Sequence, residues 1–106
     1  MSQEFTEMTP EKRVQNAILS YFKSLQESHE PLYYEKRQAG GFSYRKGLPD
    51  ITGSYKGYHF EIEVKRPGGS RTSMQEKWET IFRSIGVRYL VADNVQVVKD
   101  FFKAQF

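Results

Sequence analysis

The sequence contains no cysteine, so disulfide bonds and thiolate-bound metals are excluded and a reducing cytoplasm is the expected compartment. It has no apolar run near the roughly 20 residues that a bilayer-spanning helix needs, and its polar N-terminus does not resemble a secretion signal. Internal repeats and low-complexity segments are also absent. A charged fraction of 27% and an aromatic fraction of 15% favour a globular chain over a disordered one. We therefore expect one domain over residues 9–106, preceded by a flexible tail over residues 1–8.

Positive charge is concentrated in two segments of a chain whose net charge is only +3. Each segment lacks intervening acids, and together they contain Lys36, Arg37, Arg45 and Lys46, then Lys65, Arg66 and Arg71. Such focusing favours a polyanionic partner, although ordinary solvated surface charge produces a similar pattern.

Hydrophobic periodicity predicts the order α-β-β-β-α-β-α, which implies an α/β domain with a mixed sheet flanked by helices. Thr9 and Pro10 begin the first helix as N-cap and first helical residue. The predicted elements are a helix over 10–28, strands over 32–38, 51–55 and 58–65, a helix from 73 that stops at Gly86, a strand over 87–92 and a last helix capped by Asp93 or Asn94.

The second helix carries two separate signals. Ser73 and Glu76 have the spacing of a capping box. Five apolar residues at helical spacing predict a buried stripe: Met74, Trp78, Ile81, Phe82 and Ile85.

A hairpin turn at Lys56-Gly57 brings acids of neighbouring strands together. A two-residue loop sorts the side chains into an apolar and a polar face, and on the polar face Asp50 opposes Glu63. A three-residue loop would mix the faces, whereas a four-residue loop would keep them and oppose Asp50 with Glu61. The face assignment is thus firmer than the register.

Opposed carboxylates in a sheet repel one another unless one is protonated, gains a positive partner or binds a cation. Asp50 and Glu63 could converge on one Mg²⁺, and Lys65 lies on the same face two residues after Glu63. The alternative is a solvent-exposed hairpin face whose charges have no further role. On this chemistry alone, both interpretations remain open.

Several motifs together resemble one nuclease family. "LPD" at 48–50 and "EVK" at 63–65 resemble the PD-(D/E)xK signature of the restriction-endonuclease-like superfamily. More narrowly, the chain contains "KGLPD" at 46–50 and "EVKRPGG" at 63–69, followed by Thr72 or Ser73, Gln75, Trp78 and Gly86. This combination is similar to the virus-type replication-repair nuclease (VRR-NUC) domain. The resemblance runs from about residue 10 to 102. It implies a single restriction-endonuclease-like domain with an αβββαβ core and a C-terminal helix.

The resemblance also implies roles for individual residues. Asp50, Glu63 and the Val64 carbonyl would hold Mg²⁺ or Mn²⁺, and Lys65 would assist the attacking water. The family's glutamate on the first helix matches Glu11, a further metal ligand by this reasoning. Glu11 shares a helical face with apolar residues such as Val14, so we expect it to point inward, although a charge at the helix start would explain it as well.

The family's glutamine after the site matches Gln75, which we expect to act in catalysis; an ordinary surface or capping glutamine is an equally good interpretation.

The implied activity is metal-dependent DNA cleavage by a homodimer of phage or bacterial type, directed to branched DNA such as Holliday junctions in repair. Its location would then be the bacterial host cytoplasm. Six cations would hold the DNA backbone: Lys36, Arg37, Arg45, Lys46, Arg66 and Arg71. The alternatives are a DNA-binding module with an inactive or structural metal site, and a nuclease subunit active only in a larger complex.

Overall fold

The computed structural model describes residues 8–38 and 45–106. The predicted α-β-β-β-α-β-α order is confirmed. The elements are α1 (Pro10–Glu27), β1 (Leu32–Lys36), β2 (Ile51–Tyr55), β3 (Tyr58–Val64), α2 (Ser73–Ser84), β4 (Arg88–Ala92) and α3 (Val95–Gln105). Their ends differ from the predicted ones by no more than two residues.

Local capping chemistry starts both outer helices. The hydroxyl of Thr9 accepts a hydrogen bond from the Lys12 backbone N–H at 3.1 Å, with Pro10 at the first position of α1. The side chain of Asn94 accepts one from Val97 N–H at 3.0 Å and so begins α3. These caps satisfy backbone donors that have no partner inside a helix.

The central hairpin has the predicted register. Lys56 and Gly57 both have positive φ, 52° and 85°, as the two-residue turn requires. The ladder from Ile51 opposite Ile62 to Tyr55 opposite Tyr58 excludes the three- and four-residue loops.

The four strands form one sheet in the order β1-β2-β3-β4, with β3 and β4 parallel and the other pairs antiparallel. α1 and α3 cover one face, where the main core lies. Its members include Ile18, Phe22, Ile51, Phe60, Ile62, Val98 and Phe102. α2 packs on the other face, where Phe82 meets Val87 and Tyr89 of a smaller cluster. The sheet is therefore covered on both faces, and charged residues of the central strand β3 are buried.

The cap of α2 differs from the prediction. The N-cap is Thr72, not Ser73, and the partner in the capping box is Gln75, not Glu76. A cap one residue earlier places the Gln75 side chain between the Thr72 backbone and the sheet.

The predicted buried stripe of α2 is also wrong in part. Phe82 is buried, but Met74 and Ile81 are each 37% exposed and Ile85 is 69% exposed. The helix instead turns the half-buried side chains of Gln75 and Glu79 inward beside Trp78 and Phe82. The sheet face beneath α2 carries carboxylates, so polar side chains pack there and apolar ones are left outside.

Some expectations concern residues outside the described ranges. Residues 1–7 of the predicted tail belong to these. Within the described ranges, no helix combines the length and apolar character required to cross a membrane.

Candidate functional site

Asp50 and Glu63 face each other where the hairpin ends. The ladder closes with Ile51 opposite Ile62, so the next residues, Asp50 and Glu63, oppose one another on the face covered by α2. Asp50 Oδ2 accepts a hydrogen bond from the Val64 backbone N–H at 2.7 Å. Glu63 is only 2% exposed. The two carboxylates are thus placed as the sequence predicts.

Both carboxyl groups bind protons more tightly than free side chains do. Burial raises the pKa of Glu63 to about 8, with the charge of Asp50 as the second cause; Lys65 and Arg71 act in the opposite direction. Burial also raises the pKa of Asp50, while the bond from Val64 N–H lowers it. Because both groups resist ionisation, the site gains by binding a cation that neutralises them.

Two side chains contact one oxygen of Glu63. Gln75 Nε2 donates to Glu63 Oε2 at 2.7 Å, while Gln75 Oε1 accepts from Thr72 N–H at 2.8 Å. Lys65 Nζ lies 3.8 Å from the same Oε2. One glutamine thus ties the first turn of α2 to the carboxylate and fixes the orientation of Glu63.

The other oxygen, Glu63 Oε1, is buried and has no hydrogen-bond partner among the residues described. Buried carboxylate oxygens are normally hydrogen-bonded, so an unpaired one indicates a place for a ligand. A residue in a strand directs its N–H and C=O to the same side, so the Val64 carbonyl lies on the side where its N–H meets Asp50. Mg²⁺ is commonly held by one or two carboxylates together with waters. The residues present therefore fit a divalent cation.

Glu11 lies near this site but does not point inward. It is exposed to solvent. Its charge nevertheless contributes to raising the pKa values of Asp50 and Glu63. No three His, Cys, Asp or Glu side chains within 8–38 and 45–106 group closely enough to hold a metal. The role of Glu11 as a direct ligand stays a prediction.

Two of the predicted DNA-binding arginines are engaged inside the domain. Arg37 contacts Glu61 through both terminal nitrogens, at 2.5 and 3.2 Å. Arg71 pairs with Glu79 at 2.6 Å and lies over the ring of Tyr89. Each arginine side chain is less than a quarter exposed. Sequence alone could not show that these cations have carboxylate partners.

The remaining predicted cations lie at the surface. Arg45, Lys46 and Arg66 are exposed. Lys36 is partly covered, and the neighbouring Lys12 lowers its pKa, while the charge of Asp50 opposes this. Lys12 and Lys36 thus form a local concentration of positive charge near Asp50.

Sequence reasoning assigned no role to Glu61, which is completely buried. Besides Arg37, it contacts the Thr52 hydroxyl at 2.6 Å and His59 Nε2 at 2.5 Å. One signal was present: Glu61 stands between Phe60 and Ile62 in the central strand, where an acid needs a partner. The partner, 24 residues away, could not be read from the sequence.

The fold and the site together define a class: an α/β domain whose central hairpin presents two opposed acids, followed two residues later by a lysine, beside a helix that carries a glutamine. The chain is similar to a solved structure described as "VRR_NUC domain", with 23% sequence identity and a TM-score of 0.73. The match covers 92% of this chain and 99% of that chain. The resemblance in the motifs is therefore confirmed at the level of the fold. No protein-family model matches the chain, and neither does any curated protein.

Proposed function

We propose that this protein is a Mg²⁺- or Mn²⁺-dependent deoxyribonuclease of the VRR-NUC type. The observation that carries the proposal is the opposed pair Asp50 and Glu63, in which Glu63 is buried, has a raised pKa and keeps one oxygen unpaired. Folding by itself gains nothing from such a pair, since desolvation and repulsion both oppose it. A divalent cation turns the same arrangement into a favourable one.

In this proposal Asp50, Glu63 and the Val64 carbonyl hold the cation. When bound, it supplies positive charge for the scissile phosphate and lowers the pKa of a water. Lys65 brings its ammonium to the same carboxylate and offsets the negative charge of the substrate. Gln75 keeps Glu63 in one orientation through its bond to Oε2.

Surface cations would hold the DNA backbone on either side of these acids. Positive charge is offered to the phosphates by Lys12, Lys36, Arg45, Lys46 and Arg66. Such contacts position a duplex without reading its sequence.

The finer proposal is selectivity for branched DNA by a homodimer, in which two sites make paired cuts. Light scattering after size exclusion measures the oligomeric state, and a monomer at all concentrations would contradict that part.

The activity is tested with labelled four-way, flap and linear duplex DNA, with Mg²⁺, Mn²⁺ or a chelator. Asp50→Ala, Glu63→Ala and Lys65→Ala should each abolish cutting while DNA binding persists. Lys103→Ala, at the exposed end of α3, is the matched lysine control and should cut normally. Cleavage that survives chelation, or all three substitutions, would falsify the assignment. Salt-sensitive binding without cleavage under either ion would favour the DNA-binding module instead.

A further inference from the structure

The buried ion pair between Arg37 and Glu61 extends to the candidate metal site. Arg37 Nη1, besides contacting Glu61, donates to the Pro49 carbonyl at 2.9 Å. The backbone N–H of Arg37 donates to the Asp50 carbonyl at 2.8 Å. One arginine therefore binds the two backbone carbonyls that flank the Cα of Asp50, those of Pro49 and Asp50, while its guanidinium is anchored to Glu61 of β3.

Asp50 depends on such support more than Glu63 does. Glu63 lies within β3, between two neighbouring strands. Asp50 precedes the first residue of β2 and follows a loop in which Gly47 has a φ of 86°. A Cβ at Gly47 would lie 2.7 Å from Met74 Cβ, so this loop is pressed against α2 on one side. On the other side it is held by Arg37.

We propose that Arg37 and Glu61 form a positioning pair that sets the place of the Asp50 carboxylate. The side chain of Asp50 is held from β3 by Val64 N–H, and its main chain is held from the β1 side by Arg37. Glu61 fixes the guanidinium, with Thr52 and His59 completing its contacts. The role of Asp50 as a metal ligand rests on the proposed function, whereas the position of its side chain can be measured without any metal.

Arginine suits this task because its planar guanidinium offers five donors in a fixed geometry. Two nitrogens meet Glu61 and one of them also reaches Pro49. A lysine keeps the charge beside Glu61 but cannot fix both contacts in one plane. Groups that orient metal ligands typically contribute about 10- to 100-fold to metal affinity.

The metal-free test is amide hydrogen exchange measured by NMR. The Val64 N–H is bonded to Asp50 Oδ2, whereas the Ile62 N–H belongs to the regular ladder opposite Ile51. In each of the single variants Arg37→Lys and Glu61→Gln, we expect the Val64 amide hydrogen to exchange about 10-fold faster relative to the Ile62 amide hydrogen. General destabilisation would accelerate both amides alike. An unchanged ratio would overturn the proposal.

The second test is Mn²⁺ affinity measured by calorimetry, with a variant that separates positioning from stability. Removing one partner of a buried pair leaves an uncompensated charge, whereas replacing both by apolar residues is often tolerated. Arg37→Met combined with Glu61→Met should therefore fold better than either single methionine variant. Its Mn²⁺ affinity should still be about 10-fold below wild type. If the double variant regained Mn²⁺ affinity together with stability, the role of the pair would be structural only.

Arg83→Met is the control, since it removes an arginine–glutamate pair whose arginine is 56% exposed and contacts neither Asp50 nor Glu63, and it should leave Mn²⁺ affinity unchanged. If Arg37 instead contacts a DNA phosphate directly, the Arg37→Met/Glu61→Met double variant should bind DNA more weakly without metal and with a smaller salt dependence, and its Mn²⁺ affinity should be normal. That result would also overturn the proposal. If wild type binds no divalent ion, the proposed function fails, while the Val64 exchange ratio still decides the positioning role.

Discussion

Replacing Glu63 by glutamine should stabilise the metal-free protein, and more so at high pH. Burial and the charge of Asp50 raise the pKa of Glu63 from 4.5 to about 8. The folded protein therefore keeps this proton over a pH range in which the unfolded chain has lost it. Stability falls wherever the folded state binds more protons than the unfolded state as pH rises. The contribution of Glu63 thus declines between the two pKa values and levels off above about pH 8.

The size of the effect follows from these two pKa values. At about pH 5.5 the displaced pKa costs the folded state roughly 1 to 2 kcal/mol, and at about pH 8.5 it costs roughly 4 to 5 kcal/mol. The difference between wild type and Glu63→Gln in the free energy of unfolding should therefore change by about 3 kcal/mol at most between these conditions. Lys65 and Arg71 already moderate the repulsion, and Glu11 adds to it.

Urea unfolding in chelator, followed by circular dichroism and by the fluorescence of the single tryptophan, Trp78, measures this difference. Glu27→Gln removes a carboxylate from the exposed end of α1 and should retain the pH dependence of wild type, because Glu63 is intact. A difference between wild type and Glu63→Gln that stays constant across the pH range would refute the reasoning. Such a result would mean that water reaches Glu63 and that it ionises as a free side chain does.

Gln75→Ala and Thr72→Ala should each cost about 1 kcal/mol by breaking the cap of α2, but only Gln75→Ala should weaken Mn²⁺ binding, since it also frees Glu63. Equal Mn²⁺ affinities in calorimetry would contradict this. Gly53→Ala should cost about 3 kcal/mol or more in urea unfolding, because its Cβ would lie 2.3 Å from the Tyr33 carbonyl oxygen. Gly57→Ala, in open space at a φ of 85°, should cost only about 1 kcal/mol, and an equal cost for both would be inconsistent with the packing. Phe22→Ala should cost about 3 to 5 kcal/mol, since the ring is fully buried; a loss below about 1 kcal/mol would contradict that burial.

Most of the fold could be predicted because its signals are local. The two positive φ values at Lys56-Gly57 set the hairpin, and the alternation of side chains then decides which residues share a face. The opposition of Asp50 and Glu63 follows directly from that register. The helix starts at Pro10 and after Asn94 follow from capping residues within three positions of the bonds that they make.

The rotation of α2 could not be predicted, because amphipathicity alone assumes that a helix buries its most apolar face. The surface that this helix covers carries Glu63, which is contacted by Gln75. Near it, Arg71 is contacted by Glu79. Leaving these buried charges without partners would cost more than exposing Ile85 does.

The sequence by itself determined the order of the elements, the pairing of β2 with β3 and the side of the sheet on which the acids lie, since these depend on neighbours in the chain and on the period of a strand. Only the tertiary structure decided which charges are buried and with what partners: Arg37 with Glu61, Arg71 with Glu79, and Glu63 with an oxygen left unpaired. The physical reason is that desolvation depends on residues brought from distant parts of the chain. The energy of a charge is therefore a property of the packed domain.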